Sequence, residues 1–368
     1  MQIYIILVLI FFLYGIVVFR LYDLTINLNL KYNTLSIKNI KKEIPLIPPR
    51  GIILDKNNIP IAYNELKFNV SLKPHLAMKE LNDSIHLLKA VFKDINTTKL
   101  IKVYNSLNSF YNHKPIVILS YLDEDLIYKN QTFLNIDENI IIKPTYLRKY
   151  PFSKPLANVL GYVSKASKKD LQRNKIVSYT KIAGKMGVEK YYDDILQGEL
   201  GKKVVIVNAK NEILKEIAFK NFKTHTLTLS IDSKLQTFIY NLLEKEDKKG
   251  AVVVMKTNGE VLALVTYPSY DNNLFVKGID YKSWNEIIHN IYNPLINKPV
   301  SGVYPPASTI KPAETLIAAG SGKWNPWKKI YCPGYIEVGN RKFRDWKIEG
   351  HGEVDAIKAI KRSVDVYY

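Results

Sequence analysis

Ser308 and Lys311 stand three residues apart in the stretch YPPASTIKPAETLIAAG, 304–320. A helix beginning near Ala307 or Ser308 puts positions i and i+3 on one face, within touching distance. Pro312 falls in the first turn, where its missing N–H is tolerated and its fixed φ helps. The helix start contributes free N–H groups and partial positive charge, which suit a developing oxyanion. Partial desolvation there favours a neutral lysine amine, able to take the proton of the serine and make it a nucleophile. The plainer reading is a serine N-cap beside a surface lysine, and the tetrapeptide by itself does not decide between them.

A second group lies downstream. Cys332, Asp345 and His351 fall within 20 residues of one another, and zinc accepts all three ligand types. The plainer reading is a hydrogen-bonded His351 and an inert, buried Cys332 thiol.

Elements must position these residues. The chain has 368 residues, 47% of them hydrophobic, with a formal net charge of +19. That length allows two or three domains with packed cores. The charge is mostly lysine spread along the chain, while arginine is scarce. A solvated surface, or one facing anionic lipid or polymer, fits this better than a nucleic-acid reader. Cys332 is the lone cysteine, so no intramolecular disulfide forms.

Ile3 to Phe19 is an uncharged run of 17 residues, roughly 26 Å as a helix. With no small-residue cleavage site after it, it reads as an uncleaved signal anchor over 1–21. Arg20 and Lys31 follow it, and a bare count of positive charge would put the C-terminal side in the cytoplasm. Beyond it, GIILD, KNN and IPIAYN predict a hairpin near 51–64. Leu81, Ile85, Leu88 and Phe92 recur at helical spacing. A hairpin turn is expected around 208–211. A strand over 226–231 feeds a helix capped by Asp232 or Ser233. Two strands joined at Asn258-Gly259 follow, the second apolar enough to be buried on both faces. These mark an α/β sheet domain beginning near residue 222.

YPPASTIKP resembles the YPPGSTFKP active-site segment of the penicillin-binding proteins, whose motif set is Ser-x-x-Lys, Ser-x-Asn and Lys-Thr-Gly. PPRGIILDKNNIPIAYN, RKYPFSKPLANVLGYV, GKMGVEKYYDDILQGELG and LTLSIDSKLQ are similar, in order, to other segments of the class B members. RKFRDWKIEGHGEVD, 341–355, resembles the elongation-class members rather than the septal ones. The resemblance implies an α+β chain with a transmembrane helix at 1–21 and a mixed strand/helix pedestal at 22–220. The first part of a penicillin-binding/β-lactamase-like α/β transpeptidase domain would occupy 221–368.

The resemblance also implies roles. Ser308 would be the acyl nucleophile and Lys311 its general base. Ser363 and Asp365 match the Ser-x-Asp second motif, with Ser363 relaying protons and Asp365 positioning the same network. Some elongation-class members carry a zinc here; Asp345 and His351 match two of its ligands, Cys332 could substitute for another, and Ile360 cannot bind. No cofactor is otherwise required. The reaction implied is serine-type D-Ala-D-Ala transpeptidation, or carboxypeptidation, of peptidoglycan stem peptides, with β-lactams as mimics. The implied partners are a SEDS-type membrane glycosyltransferase and elongation scaffold proteins, and the place is the bacterial inner membrane with the bulk of the chain in the periplasm, overriding the charge count. No Lys-Thr-Gly or Lys-Ser-Gly follows Ser363, so the expectation is an N-terminal portion that does not carry the reaction alone. The alternatives are a non-catalytic pedestal protein that binds those partners and, less compatibly with the pedestal segments, a β-lactam sensor.

Overall fold

The computed structural model describes residues 2–208 and 213–368, and the chain divides into two compact units, Met1–Ser301 and Gly302–Tyr368. In the first, Gln2–Tyr22 is one apolar helix, exposed along its described residues. The stretch Ile3–Asn27 is long and apolar enough to cross a membrane, which fits an anchor. A three-stranded antiparallel sheet follows, ordered Lys41–Leu46, Gly201–Val207, Ile213–Lys220. The turn expected at 208–211 lies largely outside the described residues.

The largest sheet is organised by the long strand Pro60–Leu72. Its first residues pair with Ile53–Leu54, as the hairpin pattern predicts, and its remainder pairs with Ile140–Lys149 and Ile116–Leu122. Asp55 closes the hairpin turn by accepting N–H groups of Asn57 and Ile59, each at 2.8 Å. Its other oxygen accepts Ser233 Oγ–H at 2.7 Å, tying the turn to the helix Ser233–Lys245. That helix is capped by Asp232, which accepts from Lys234 and Leu235 N–H. In the helix Met78–Val91, Leu81, Ile85 and Leu88 face a core shared with Val70, Leu72 and Ile116.

A second core joins Ile53, Ile61, Tyr150, Leu156 and Leu160 to Val261, Leu264 and Val276. The hairpin Gly250–Met255/Val261–Tyr267 therefore packs within the first compact unit, which ends at Ser301. The hairpin is a two-stranded sheet. Ala263 and Val265 are buried against Tyr240, while Val253 and Met255 are exposed.

Glu189, fully buried, holds this unit together electrostatically. It accepts from Arg50 Nε at 2.6 Å, Arg148 Nε at 2.8 Å and the Tyr150 hydroxyl at 3.2 Å. Burial pushes its carboxyl up, but the Arg148 and Arg50 guanidinium groups outweigh that and hold it below the usual carboxylate range. Asp193 accepts from Arg173 Nη2 at 2.9 Å and Gly184 N–H at 2.9 Å. Arg50 Nη1 lies 2.8 Å from Asp193, an ion pair without hydrogen-bond alignment.

The unit Gly302–Tyr368 carries two short antiparallel strand pairs, Ile330–Cys332 with Gly352–Val354 and, within the connection between them, the hairpin Tyr335–Val338 with Arg341–Arg344. Its helices are Lys311–Gly320 and Ala356–Arg362, the latter capped by Asp355 accepting Lys358 N–H. Cys332, Val354, Ala359 and Val364 form its small core.

Candidate active site

Ser308 is not on the first turn of the α-helix. Residues Ala307–Ile310 form a 3₁₀ turn, and Lys311 opens the α-helix Lys311–Gly320. The Lys311 N–H donates to Ser308 O, the i→i+3 bond of such a turn. Pro312 sits at the helix start, where its missing N–H leaves no gap. Ser308 is exposed, whereas the Lys311 side chain is 8% exposed.

Lys311 does not hydrogen-bond Ser308. Its Nζ donates to Asp365 Oδ1 at 2.5 Å, to Ser363 O at 3.1 Å and to Ser363 Oγ at 3.4 Å. The Ser363 hydroxyl reaches Ser308 Oγ at 2.6 Å. The serine and lysine three apart in sequence are thus linked through a serine 55 positions away. A hydroxyl, a second hydroxyl and an amine in contact make a path along which a proton can move. Asp365 lies against the amine, placed to balance positive charge that arises there.

Ser363 ends the helix Ala356–Arg362 in the left-handed region, φ 50°. Asp345 secures the residues that follow. Its Oδ2 accepts the N–H groups of Asp365 at 2.8 Å and Val366 at 3.1 Å. Its Oδ1 accepts from Lys347 N–H and faces His351 Nε2, both at 3.2 Å. Burial pushes the Asp345 carboxyl up, but the Val366, Lys347 and Asp365 N–H groups, with His351 beside it, outweigh burial and hold it below the ordinary value. Thr315, bonded to Lys311 O at 2.9 Å and to the Tyr368 hydroxyl at 2.7 Å, completes the surround. Neither this role of Asp345 nor Thr315 is evident from the sequence; only the acidic type and the nearness of Asp345 to the second motif point to it.

Cys332, Asp345 and His351 do not assemble as a zinc shell. Among the described residues no group of three His, Cys, Asp or Glu is placed to hold a metal ion. Cys332 pairs with Gly352 in the strand register, and its side chain lies in the apolar cluster of Val354, Ala359 and Val364. Burial, then the nearby Asp345 charge, push its thiol up, against the thiolate a metal needs. Asp345 spends both oxygens on the backbone and His351, leaving buried His351 Nδ1 without a partner.

The comparisons with known proteins agree in kind. The Penicillin-binding Protein dimerisation domain matches residues 45–225, and the Penicillin binding protein transpeptidase domain matches residues 250–368. The Peptidoglycan D,D-transpeptidase MrdA of Escherichia coli is 31% identical over 96% of this chain and 57% of its own length. Its Haemophilus influenzae counterpart is 33% identical over 96% of this chain and 55% of its own. The chain thus spans a little over half the length of these relatives. A solved complex between PBP2 and MreC from Helicobacter pylori superposes with TM-score 0.82 at 37% identity, covering 89% of this chain and 61% of that one. Two domains matched in order, with MrdA relatives more than 30% identical across nearly the whole chain, establish that it belongs to the class B penicillin-binding proteins of the PBP2 (MrdA) type.

Proposed function

We propose that this protein is a peptidoglycan D,D-transpeptidase of cell-wall elongation, with Ser308 as its acyl nucleophile. The supporting observation is the contact chain Ser308 Oγ–Ser363 Oγ–Lys311 Nζ, at 2.6 and 3.4 Å. Ser308 Oγ attacks the carbonyl between the two terminal D-Ala residues of a stem peptide. Its proton passes through the Ser363 hydroxyl to the Lys311 amine, and Asp365 compensates the ammonium that forms. Collapse of the tetrahedral adduct breaks the C–N bond, and the departing D-Ala amine takes the proton. An amine of a second stem then attacks the ester, forming the cross-link and returning the proton to Ser308. β-Lactams acylate the same oxygen. Water in place of the amine makes the reaction a carboxypeptidation.

Substrate of this kind lies outside the cytoplasm. The apolar N-terminal helix therefore anchors the chain in the inner membrane with the remainder in the periplasm. By analogy with the PBP2 solved with MreC, the region matched by the dimerisation domain takes an elongation scaffold protein, and we extend this to a SEDS-type glycosyltransferase.

The test uses the gene's full product in its own membranes. A labelled penicillin should attach, and peptide mapping should place the adduct on Ser308, with none after Ser308→Ala. An adduct on another residue, or undiminished labelling of the variant, refutes the assignment.

A further inference from the structure

A cavity of about 940 Å³ opens in the first unit. Its walls come from three places. Asn69, Tyr121 and Thr145 belong to the largest sheet. Ser164, Lys165 and residues 180–182 lie at the strand pair Val163–Lys165/Ile182–Gly184, and residues 275–284 follow the hairpin that ends at Tyr267. The cavity thus takes walls from both the region matched by the dimerisation domain and the region matched by the transpeptidase domain. Ser308 is not on its wall.

The wall carries positive charge without counter-charge. Lys165, Lys181 and Lys277 line it, and no acidic residue does. All three lysines are exposed, and among the described residues their ammonium groups make no hydrogen bond or ion pair. Lys277 Nζ stands 5.9 Å from the centre of the Tyr121 ring. Flanking acids are already taken: Asp123 by Lys67, Asp170 by Lys185, and Asp280 by the Ser283 N–H and Oγ–H. Two wall side chains are also held against backbone preference. Tyr121 and Lys181 both have φ 59°, unusual for residues of their bulk. Asn69 Oδ1 fixes the first by accepting Tyr121 N–H at 3.1 Å, and Val177 O fixes the second by accepting Lys181 N–H at 2.9 Å. Strain of this kind concentrates where ligands bind.

The uncharged wall is largely aromatic. Phe275 stacks on Tyr162 at 3.9 Å and meets Trp284 edge-on at 6.3 Å, and Tyr281 beside them is 81% exposed. Asn69 Nδ2, Trp284 Nε1 and the Thr145 and Ser164 hydroxyls belong to half-buried side chains and make no hydrogen bond among the described residues. Thr180 is engaged by Gln197. Ile182, Val276, Gly278 and Ile279 make up the rest.

We propose that this cavity binds an anionic saccharide, its sugar rings packing on Tyr162, Trp284 and Tyr281 and the carboxylates of its substituents meeting Lys165, Lys181 and Lys277. A pyranose ring has an apolar C–H face and a polar edge, which matches aromatic side chains bordered by free amide and hydroxyl groups. Separate ammonium groups suit carboxylates spread along a chain. The wall holds no arginine, the residue whose fork grips phosphate and nucleic acid. The volume is at the upper end for small-molecule sites, enough for a disaccharide with part of an attached peptide. The inference rests on the peptidoglycan reading above, whose substrate is a polymer of N-acetylated sugars bearing acidic stems. It adds a second contact with that polymer, apart from Ser308.

The probes are N-acetylglucosaminyl-N-acetylmuramyl-tripeptide, the free stem tripeptide and neutral diacetylchitobiose. They are titrated by calorimetry into the gene's full product, solubilised in detergent and first treated with benzylpenicillin to close Ser308. Mass measurement of the same sample reads the acylation, so failure of the Ser308 reading shows as unmodified protein and failure of this one as missing saccharide binding. The glycopeptide should bind saturably, at least about tenfold tighter than either of its parts. Lys165→Glu and Lys277→Glu should each weaken it about fivefold or more, and Tyr281→Ser about threefold. Lys102→Glu makes the same charge change at an exposed lysine off the wall and should change binding less than about twofold. All four side chains are exposed, so the variants should fold. Four outcomes each overturn the proposal: no saturable binding, the free tripeptide binding as tightly as the glycopeptide (an acidic-peptide groove), chitobiose binding as tightly (a neutral sugar site), or Lys102→Glu matching Lys165→Glu.

Discussion

Glu189→Gln tests whether the buried arginine network holds the first unit. The carboxylate is fully buried and meets two guanidinium Nε groups at 2.6 and 2.8 Å. The amide keeps one acceptor, removes the charge, and turns an NH₂ toward a guanidinium. Breaking one partner out of a buried pair costs about 3–5 kcal/mol. Unfolding entropy near 2.1 cal/mol/K per residue gives about 0.6 kcal/mol/K for a unit of roughly 300 residues, so Tm should fall by roughly 5–8 °C. Scanning calorimetry of the solubilised chain reads it. Glu43→Gln is the control. Its pair with Lys202, 3.4 Å apart and exposed on both sides, should contribute nothing measurable. The pH dependence supplies a second signature. Glu189 is held below its unfolded value, so its contribution is complete above about pH 4.3 and is lost as pH falls through the lower folded value. The gap between wild type and variant should therefore close on acidification. A Tm drop under about 2 °C at neutral pH, or a gap that widens in acid, would refute the reasoning.

Three further outcomes follow from the geometry. Ser363→Gly should leave Tm unchanged or raise it by relieving the left-handed φ of 50°, while penicillin acylation slows by about 10²–10⁴ for want of the bridging hydroxyl. Asp345→Ala should slow acylation more than Asp345→Asn, with circular dichroism unchanged, because the amide oxygen can still accept from Asp365 and Val366 N–H; equal rates would separate Asp345 from the site. Gly184→Ala should fail to give folded protein, since a Cβ there would meet Glu189 O at 1.9 Å; a folded variant with wild-type Tm would show that the packing around Glu189 is not as described.

Short-range features were the legible ones. The hairpin at Ile53–Leu54 and Pro60–Leu72, the Asp232 cap and the helix presenting Leu81, Ile85 and Leu88 each follow from residues within one or two turns of one another. Features closed over long distances were not. Arg148 and Glu189 are 41 positions apart, a contact with no periodicity to read, and Ser308 and Ser363, 55 apart, are joined at the sequence level by the family resemblance alone. Cys332, Asp345 and His351 show the converse, residues near in sequence whose surroundings the strand register decides. Closeness in sequence and compatible ligand types suggest a metal, but strand register sends the cysteine into the apolar cluster and leaves Asp345 clamping backbone. Val261 and Leu264 share a core with Ile53 and Ile61, and that shared burial leaves no mark in composition.

Ser363 shows why a local rule is broken at this site. A helix ending in the left-handed region favours glycine or asparagine, and a serine there costs about 1 kcal/mol. A glycine would end the helix Ala356–Arg362 more easily but would leave nothing between Lys311 and Ser308. The left-handed turn brings the Ser363 hydroxyl to 2.6 Å from Ser308 while its carbonyl, on the same residue, accepts from Lys311 at 3.1 Å. The two N–H groups that Asp345 binds begin two residues later, so the clamp fixes the chain where the strained turn would otherwise relax. Strain at Ser363 and satisfaction at Asp345 are two parts of one device, and the cost of the first is offset within three residues by the hydrogen bonds of the second.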